Sequence, residues 1–326
     1  MRPSDTTGAR SAPSSPEERV RAAWLYYAEG MTQAQVARVM RLSRVKVIAL
    51  LAAARDAGLV SIRVNAKGAA QLDFERRLVD RFSLHAAIVV PSPAREADVA
   101  RAVGHAAGAY LGEQLRDGMS IGIGWGETLH HSLKALGERE VTGLSVVSLL
   151  GGITHSRTVN PATVARRLAD AFRADCYQVT APLVVADPEL TETLWAEPGL
   201  RELRDRARRA DLVLASVGDL SARATLVRER LVTRAELASL RAAGAVGDLL
   251  CRFLDADGRV LDHPANRRMI AVDLDDVRHV PRIVLASGGR RKVAALLAAL
   301  TALPAQVLIT DEAAAEGLLG AAPREG

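Results

Sequence analysis

From residue 85 onward, short apolar runs alternate with longer stretches that are rich in Ala, Arg and Leu and read as helices. Eight of these apolar runs predict strands: Ala86–Val90, Ser120–Gly124, Leu144–Leu150, Cys176–Val179, Leu212–Val217, Ile270–Val272, Ile283–Ala286 and Val307–Thr310. Strands that are buried on both faces and separated by helices are typical of a mostly parallel, covered sheet. We therefore predict an α/β domain over residues 85–326, and the chain of 326 residues is long enough for a second domain.

Residues 17–65 show a different pattern, which predicts three helices followed by an alternating, strand-like stretch at residues 59–64. Thr32 and Gln35 form a predicted capping box at the start of the second helix, and Ser43 is the predicted cap of the third. The apolar positions expected to face inward are Val20, Ala23, Trp24 and Tyr27 in the first helix, Val36, Val39 and Met40 in the second, and Val47, Leu50, Leu51 and Ala54 in the third.

The spacing of the second and third helices is that of a helix-turn-helix. Ala37 is the small residue that a steep helix crossing requires, and Leu42 fills the turn. Arg41 occupies a turn position where glycine is common, because that position often needs a left-handed backbone. The predicted DNA-contacting residues are Thr32, Gln33, Ser43, Arg44, Lys46 and Arg63. The alternative is a plain three-helix bundle with a solvated basic face.

The basic excess of the chain lies at its N-terminal end. Residues 1–68 contain eleven Lys and Arg against five Asp and Glu, whereas the remainder contains 32 against 33. A local basic module is the electrostatic pattern of a nucleic-acid partner, which favours the DNA-binding interpretation.

The remaining segments complete the predicted organisation. Residues 1–16 are Ser- and Pro-rich and are predicted to be a disordered tail without a signal peptide. Residues 66–84 predict one amphipathic linker helix, either a dimerisation helix or a connector packed on the larger domain. Cys176 and Cys251 have no disulfide or metal spacing, which fits a reducing cytoplasm. The uncharged run Val293–Thr310 contains Pro304 and predicts a buried helix and strand, not a membrane span.

Several predicted strands of the larger domain are followed by glycine or polar residues. Ligands of parallel sheets bind at the carboxyl ends of the strands, so these segments together predict a site for a small, polar, anionic ligand. Glycine-rich turns that open helices offer backbone N–H groups, Lys292 offers a cation and Asp248 accepts hydroxyls. The candidate effector-binding residues are Gly124, Gly126, Glu127, Thr128, Gly151, Gly152, Asn160, Asp219, Asp248, Gly289 and Lys292. No catalytic residue, metal or cofactor is predicted.

With these motifs in one order, the chain resembles the SorC-type sugar-binding transcriptional regulators, grouped with the deoxyribonucleoside regulator. The matching segments are residues 24–60, GIGWGETL, SLLGG, APLVV, GAVGDLLCRFLDADG, SGGRRK and LITDEAAA. The resemblance implies a sensor domain with the fold of phosphosugar isomerases and CoA transferases, and dimers or tetramers on palindromic operators. It implies effector contacts at Thr128, Gly151, Gly152, Asp248 and Lys292. Some relatives carry a Schiff-base lysine after the Gly-Gly pair; here Ile153 and Thr154 follow, so covalent aldehyde capture by that route is not expected.

Three functions compete at this stage. The first is a cytoplasmic repressor of a carbohydrate or polyol operon, with double-stranded operator DNA, a sugar, polyol or sugar phosphate, and further copies of itself as partners. The second is a sugar-phosphate isomerase, for which Asp219, Asp248 or Asp311 offers a general base. The third is a CoA transferase with Glu127 as nucleophile. An isomerase has no use for a basic helix-turn-helix, so the regulator is favoured over an enzyme.

Overall fold

The computed structural model describes residues 15–60, 69–136, 141–156 and 159–321. The chain divides into two compact units, residues 1–65 and residues 66–326. The predicted tail up to residue 14 and Arg63 of the predicted DNA-contacting set lie outside the described residues, as does most of the strand-like stretch at 59–64.

The N-terminal unit contains α1 (Pro16–Ala23), a π-helical turn (Trp24–Ala28), α2 (Gln33–Met40) and α3 (Arg44–Asp56). The predicted capping box is confirmed, because the Thr32 side chain accepts from the Gln35 backbone and the Gln35 side chain from the Thr32 backbone. Ser43 caps α3 through the backbone N–H of Lys46, at 3.1 Å. Arg41 has a φ of 53°, so the turn does require the left-handed backbone.

The core of this unit differs in part from the predicted one. All four inward positions of α3 are buried, as are Ala23 and Val36. However, Val20, Trp24 and Val39 are 50%, 63% and 47% exposed, so their predicted inward orientation is wrong. Ala22 of α1 and Leu25 of the π-helical turn are buried instead. Val20 lies in α1 before the π-helical turn and is exposed while Ala22 and Ala23 are buried, so the prediction assigned the wrong face of this short helix to the core.

The second unit begins with α4 (Ala69–Phe82), within the predicted linker helix. Among the described residues of this unit, ten strands follow: β1 (Ala86–Val90), β2 (Ser120–Ile123), β3 (Ser145–Gly152), β4 (Asp175–Pro182), β5 (Leu212–Ala215), β6 (Val217–Gly218), β7 (Gly247–Leu249), β8 (Arg252–Leu254), β9 (Ile283–Ala286) and β10 (Val307–Asp311). Seven of them form a parallel sheet in the order β1-β10-β9-β5-β2-β3-β4. The predicted α/β class is confirmed.

Two features of the strands were not predicted correctly. Residues 270–272 are not a strand, because Ala271 makes only an isolated bridge with Leu150. Conversely, β6, β7 and β8 form a small antiparallel sheet that sequence reasoning missed. These strands have only two or three residues each, too few for a period-two pattern to be visible.

The helices of the larger unit cover the parallel sheet. They are α5 (Val99–Gln114), α6 (Glu127–Ser132), α7 (Pro161–Phe172), α8 (Pro188–Ala196), α9 (Pro198–Arg208), α10 (Thr225–Arg228), α11 (Arg234–Ala242), α12 (Pro264–Arg267), α13 (Leu274–Val277), α14 (Val293–Ala302) and α15 (Glu312–Gly320). The uncharged run Val293–Thr310 forms α14 and β10, as predicted. Within the described ranges, no helix combines the length and the apolar character needed to cross a bilayer.

Two glycines of α5 allow α6 to pack directly against it. A Cβ on Gly104 would lie 2.5 Å from the Thr128 carbonyl oxygen and 2.7 Å from the His131 Cβ. A Cβ on Gly108 would lie 2.1 Å from the Ser132 carbonyl oxygen. The position of α6 therefore depends on the absence of side chains at these two sites.

We expect Gly104→Ala to lower the free energy of unfolding by roughly 1–3 kcal/mol, because the new methyl group overpacks a backbone contact. The control is Gly199→Ala in α9, where an added Cβ meets no atom within 4 Å. That exposed helical change is expected to be neutral or slightly stabilising. Urea denaturation of both variants checks this, and equal effects would contradict the packing argument.

Candidate functional site

A cavity of about 330 Å³ lies at the carboxyl ends of β2, β5 and β9. In the parallel sheet, β3 and β4 lie on one side of β2, while β5, β9 and β10 lie on the other. The order in which strands are added to the sheet thus reverses between β2 and β5, so the loops that leave these two strands diverge. Such a switch point is where ligands of open α/β sheets bind.

Segments that follow three strands of the parallel sheet line this cavity, together with two strands of the small sheet. The segments are residues 125–128 after β2, residues 216–219 after β5, which include β6, and residues 288, 289, 291 and 292 after β9. Asp248 of β7 closes one wall. Further lining comes from residues 96–100, which follow β1, and from residues 223–228. Lining residues therefore come from segments that are far apart in the sequence of the larger unit.

Asp248 is the most deeply buried acid of the cavity, with 6% of its surface exposed. Its Oδ2 accepts a hydrogen bond of 3.2 Å from the Cys251 backbone N–H. Its Oδ1 lies next to Gly218, where an added Cβ would be only 2.1 Å away. Burial raises the pKa of Asp248 to about 6, against the opposing effect of the nearby Lys292 ammonium.

Lys292 is the cation that lies near the two acids Asp248 and Asp219. Its Nζ donates a hydrogen bond of 3.2 Å to the Ser287 hydroxyl. Burial lowers the pKa of Lys292, while Asp219 and Asp248 act in the opposite direction. Asp219 is oriented by the Ser221 backbone N–H, which donates to its Oδ1 at 2.7 Å. Two carboxylates and one ammonium thus offer acceptors and a donor to the hydroxyl groups of a ligand.

Charged residues around the cavity are paired across distant parts of the chain. Arg291 forms an ion pair of 2.7 Å with Glu96, and Arg228 pairs with Glu127. The side chain of Arg223 is exposed at the same cavity. Lysine and arginine side chains therefore balance the four acids, which suits a polar ligand that is neutral or carries a small anionic group.

Asp311 holds the loop that carries Lys292. Its Oδ1 accepts from the backbone N–H groups of Gly289, at 2.7 Å, and Ala314, at 3.3 Å. Its Oδ2 accepts from the Ser92 hydroxyl at 2.7 Å. A Cβ on Gly288 would lie 2.7 Å from Oδ1, so this glycine is required for the close approach. The Asp311 carboxylate is occupied by structural hydrogen bonds.

The N-terminal unit presents a second candidate surface at the start of α3. Ser43 and Arg44 are exposed there, and Lys46 lies in the same first turn of the helix. Thr32 is exposed at the start of α2, and Gln33 follows it. A helix that exposes a hydroxyl and cations at its N-terminus has the features of a recognition helix for the major groove of DNA.

Comparison with known proteins identifies the family. Residues 67–320 match the family model described as "Putative sugar-binding domain". The chain is 33% identical over 303 residues to the erythritol catabolism regulatory protein EryD of Brucella abortus, covering 92% of this chain and 96% of that protein. The chain belongs to this family of sugar-binding regulators. It is also 32% identical over 302 residues to the deoxyribonucleoside regulator of Bacillus subtilis, with coverage of 92% and 96%.

Solved structures agree with this family assignment at the level of the fold. The full-length sorbitol operon regulator SorC of Klebsiella pneumoniae has a TM-score of 0.70 at 23% identity, covering 94% of this chain and 100% of that one. The sugar-binding domain of a transcriptional repressor from Vibrio fischeri has a TM-score of 0.69 at 26% identity, covering 76% and 98%. The predicted resemblance to SorC-type regulators is confirmed, and the chain is a transcriptional regulator rather than an isomerase or CoA transferase.

The structure of this regulator brings together seven of the eleven predicted effector-binding residues. Those lining the cavity are Gly126, Glu127, Thr128, Asp219, Asp248, Gly289 and Lys292. Gly124 lies directly before the lining residue Trp125, and a Cβ on it would be 3.0 Å from the Leu250 side chain. It therefore permits packing behind the cavity wall.

The other three predicted residues of the sensor unit lie outside the lining of the described cavity. The Gly151 N–H donates to the Ile270 carbonyl at 2.8 Å, and the Gly152 carbonyl accepts from Leu183 at 2.7 Å. Asn160 caps α7 through the Ala162 N–H at 3.1 Å. Their polar groups stabilise local structure, so an effector contact by them stays a prediction.

Several lining residues of the regulator were missed by sequence reasoning. Glu96, Arg223 and Arg228 line the cavity, but each lies on a polar surface stretch with no glycine or strand end beside it. Trp125 lies within the GIGWGETL motif, yet no role was predicted for it. Glu96 follows the predicted strand Ala86–Val90 and Arg223 follows Leu212–Val217 at the same separation, so a search for charged residues in the segments after predicted strands would have found both.

We expect Asp248→Asn to stabilise the folded regulator at about pH 7.5 by roughly 1–3 kcal/mol, because it removes a buried charge. The folded-state pKa of Asp248 is raised above its ordinary value of 3.8 to about 6. Ionisation therefore destabilises the folded state fully above about pH 6, and the gain of the variant declines as the pH falls from there toward 4.

Urea denaturation at about pH 7.5 and about pH 5 checks this pH dependence. The exposed Asp80 of α4 provides the matched control as Asp80→Asn, for which no such gain is expected. A gain of equal size at both pH values would show that the carboxylate of Asp248 is not destabilised by burial.

Proposed function

We propose that this regulator is a repressor of a carbohydrate or polyol catabolic operon, whose operator affinity changes when a sugar, polyol or sugar phosphate occupies the cavity. The observation that carries the proposal is the convergence of Asp219, Asp248 and Lys292 at the switch point of the sheet. Acidic acceptors and an ammonium donor match the alternating hydroxyls of a small carbohydrate. Because the DNA of a bacterial operon lies in the cytoplasm, we also propose a cytoplasmic location for this regulator.

The relatives support the same class of ligand. The Brucella relative is named for erythritol catabolism and the Klebsiella neighbour for a sorbitol operon, both of them polyols. Isomerase chemistry needs a general base aimed at the substrate, whereas Asp311 is engaged by Gly289, Ala314 and Ser92. The remaining acids, Asp219 and Asp248, serve as hydroxyl acceptors in this proposal.

Control of DNA affinity requires that the effector bind one state of the protein better than another. A difference of about 1–3 kcal/mol changes operator affinity several-fold to a hundredfold. Two copies of α3 that bind one palindromic operator would couple effector binding to operator affinity, because the symmetry of the operator mirrors the symmetry of the protein. We therefore also propose a homodimer or homotetramer as the active form.

Arg44→Ala should weaken binding to the upstream DNA by roughly 1–3 kcal/mol and reduce the preference over a random duplex, if Arg44 contacts a base. Fluorescence anisotropy over a series of salt concentrations measures both quantities. The control is Arg55→Ala, at the other end of the same helix, for which a small and sequence-independent loss is expected. A uniform loss with Arg44→Ala would make it a phosphate contact.

Lys292→Ala should abolish the response of operator binding to effector and leave DNA binding without effector intact. The assay titrates the protein–DNA complex with erythritol, sorbitol, ribose and their phosphate esters. Arg290→Ala is the matched control, because Arg290 lies two residues away in the same turn, is exposed and pairs with Glu316. An unchanged response in Lys292→Ala would exclude that role, and no response of the unmodified protein to any compound would contradict effector control.

A further inference from the structure

The helix α3 carries apolar side chains on its exposed side as well as on its core-facing side. Val45 is 77% exposed, the highest value among the exposed large hydrophobic side chains of the described residues, and Ile48 is 46% exposed. Ala49 is exposed and Ala52 is half-buried. Residues 45, 48, 49 and 52 recur at helical spacing, so they form one continuous row along the exposed side of α3. We call these four residues the apolar stripe.

The apolar stripe does not stabilise the N-terminal unit by itself. The core of the unit receives the opposite side of α3, on which Val47, Leu50 and Leu51 are buried. Valine and isoleucine are less favourable than alanine in an exposed helix, because their branched side chains lose rotamer freedom. Single exposed apolar residues are ordinary on protein surfaces, whereas a contiguous apolar surface marks an interaction site. The stripe therefore indicates a partner that covers this side of α3.

The charges next to the apolar stripe are basic. Arg44 and Lys46 are the chain neighbours of Val45, and at about 100° per residue they lie on its two sides. Arg38 and Arg41 are exposed in α2 and in the turn that leads to α3. Residues 30–55 contain no Asp or Glu. A partner that approaches this surface must therefore be negatively charged and must also present apolar groups to the stripe.

The major groove of DNA combines these two properties. Phosphates run along its edges, and the C5-methyl group of thymine is the apolar group that base edges present inside it. Val45 is the second residue of α3, and the N-terminal residues of a recognition helix are those that meet base edges. A second copy of the same surface would instead bring Arg44 and Lys46 of both copies together, and like charges repel. DNA is the occupant that fits both the charge and the apolar surface.

We propose that Val45 and Ile48 recognise thymine methyl groups, and that the operator carries A·T base pairs where the first two turns of α3 meet the major groove. The proposal rests on the proposed function of the N-terminal unit in reading DNA. It adds an uncharged contact that distinguishes thymine from cytosine, whose ring has no methyl group. Such a contact changes the sequence preference without changing the salt dependence of binding, which arises from phosphate contacts.

The experiment uses the full chain and a duplex from the region upstream of its gene, in which footprinting first maps the protected segment. Each thymine of that segment is replaced in turn by deoxyuridine, which pairs in the same way but lacks the C5-methyl group. Fluorescence anisotropy measures the Kd of each duplex for the unmodified protein, Val45→Ala and Ile48→Ala. Both variants are expected to fold, since alanine is favoured at exposed helical positions.

For the unmodified protein, we expect deoxyuridine at one or more positions to raise the Kd about fourfold, as for the loss of one buried methyl group. Val45→Ala should raise the Kd of the thymine duplex by about fourfold or more, because it removes two methyl groups. At the thymine that Val45 contacts, the two changes should not add, so Val45→Ala should bind the thymine and deoxyuridine duplexes equally. The salt dependence should stay unchanged, since no charge is removed.

Val20→Ala is the matched control, because it removes the same two methyl groups from a valine of α1 that is 50% exposed. It should leave both the Kd and the effect of deoxyuridine unchanged. Sedimentation of Val45→Ala gives its oligomeric state. Dissociation of the protein in this variant, together with weaker DNA binding, would show that the stripe covers a second copy, and would overturn the proposal.

Two further results overturn the proposal, and they are distinguishable. In the first, the unmodified protein prefers the upstream duplex over a random one, but deoxyuridine has no effect, or has the same effect in both stripe variants. The stripe then does not recognise thymine, while the function in DNA binding stands. In the second, the unmodified protein shows no preference for the upstream duplex. The proposed reading of DNA then fails, and the role of Val45 and Ile48 fails with it.

Discussion

The reversal of strand order between β2 and β5 is the constraint from which the sensor site follows. The connections that leave the strands lead to opposite sides of the sheet on the two sides of this point, so the loops at the carboxyl ends of β2 and β5 separate. The resulting crevice receives Thr128 from the start of α6, Asp219 from the segment after β5 and Lys292 from the segment after β9. Asp248 reaches the same crevice from the small sheet, which closes one side of it.

Burying charges in this crevice is unfavourable, and the structure offsets the cost by placing opposite charges together. Burial raises the pKa of Asp248 and lowers that of Lys292, so each charged form is destabilised, and each partner counteracts the effect on the other. Ligand hydroxyls that bind both groups would replace the water lost on burial. The buried charges of the site are unfavourable without a ligand and hydrogen-bonded with one. Such a site is suited to sensing, because ligand binding then changes the stability of the surrounding structure.

Other residues keep this arrangement rigid. Asp311 holds the loop of Lys292 through backbone N–H groups, and Gly104 lets α6 pack closely enough to bring Thr128 to the cavity. The turn at Leu250 and Cys251 holds the Asp248 carboxylate through the Cys251 backbone N–H. A rigid site discriminates between ligands better than a deformable one, since less ordering is required when the correct ligand binds. Effector selectivity of this regulator would therefore depend on residues that do not themselves contact the ligand.

The sequence by itself determined the helix-turn-helix caps, the α/β class and seven of the strands, because these depend on patterns within a few residues. Local patterns also identified the strand ends that carry Gly126, Asp219 and Lys292. Only the tertiary structure decided the strand order, and with it which strand ends meet. Gly151 and Gly152 form the end of β3, which lies on the far side of β2 from the switch point, so they do not line the cavity that Gly289 lines. Glu127 and Arg228, for example, are 101 positions apart in the sequence and form an ion pair. Such contacts leave no periodic pattern in the sequence, because they result from the packing of complete helices and strands.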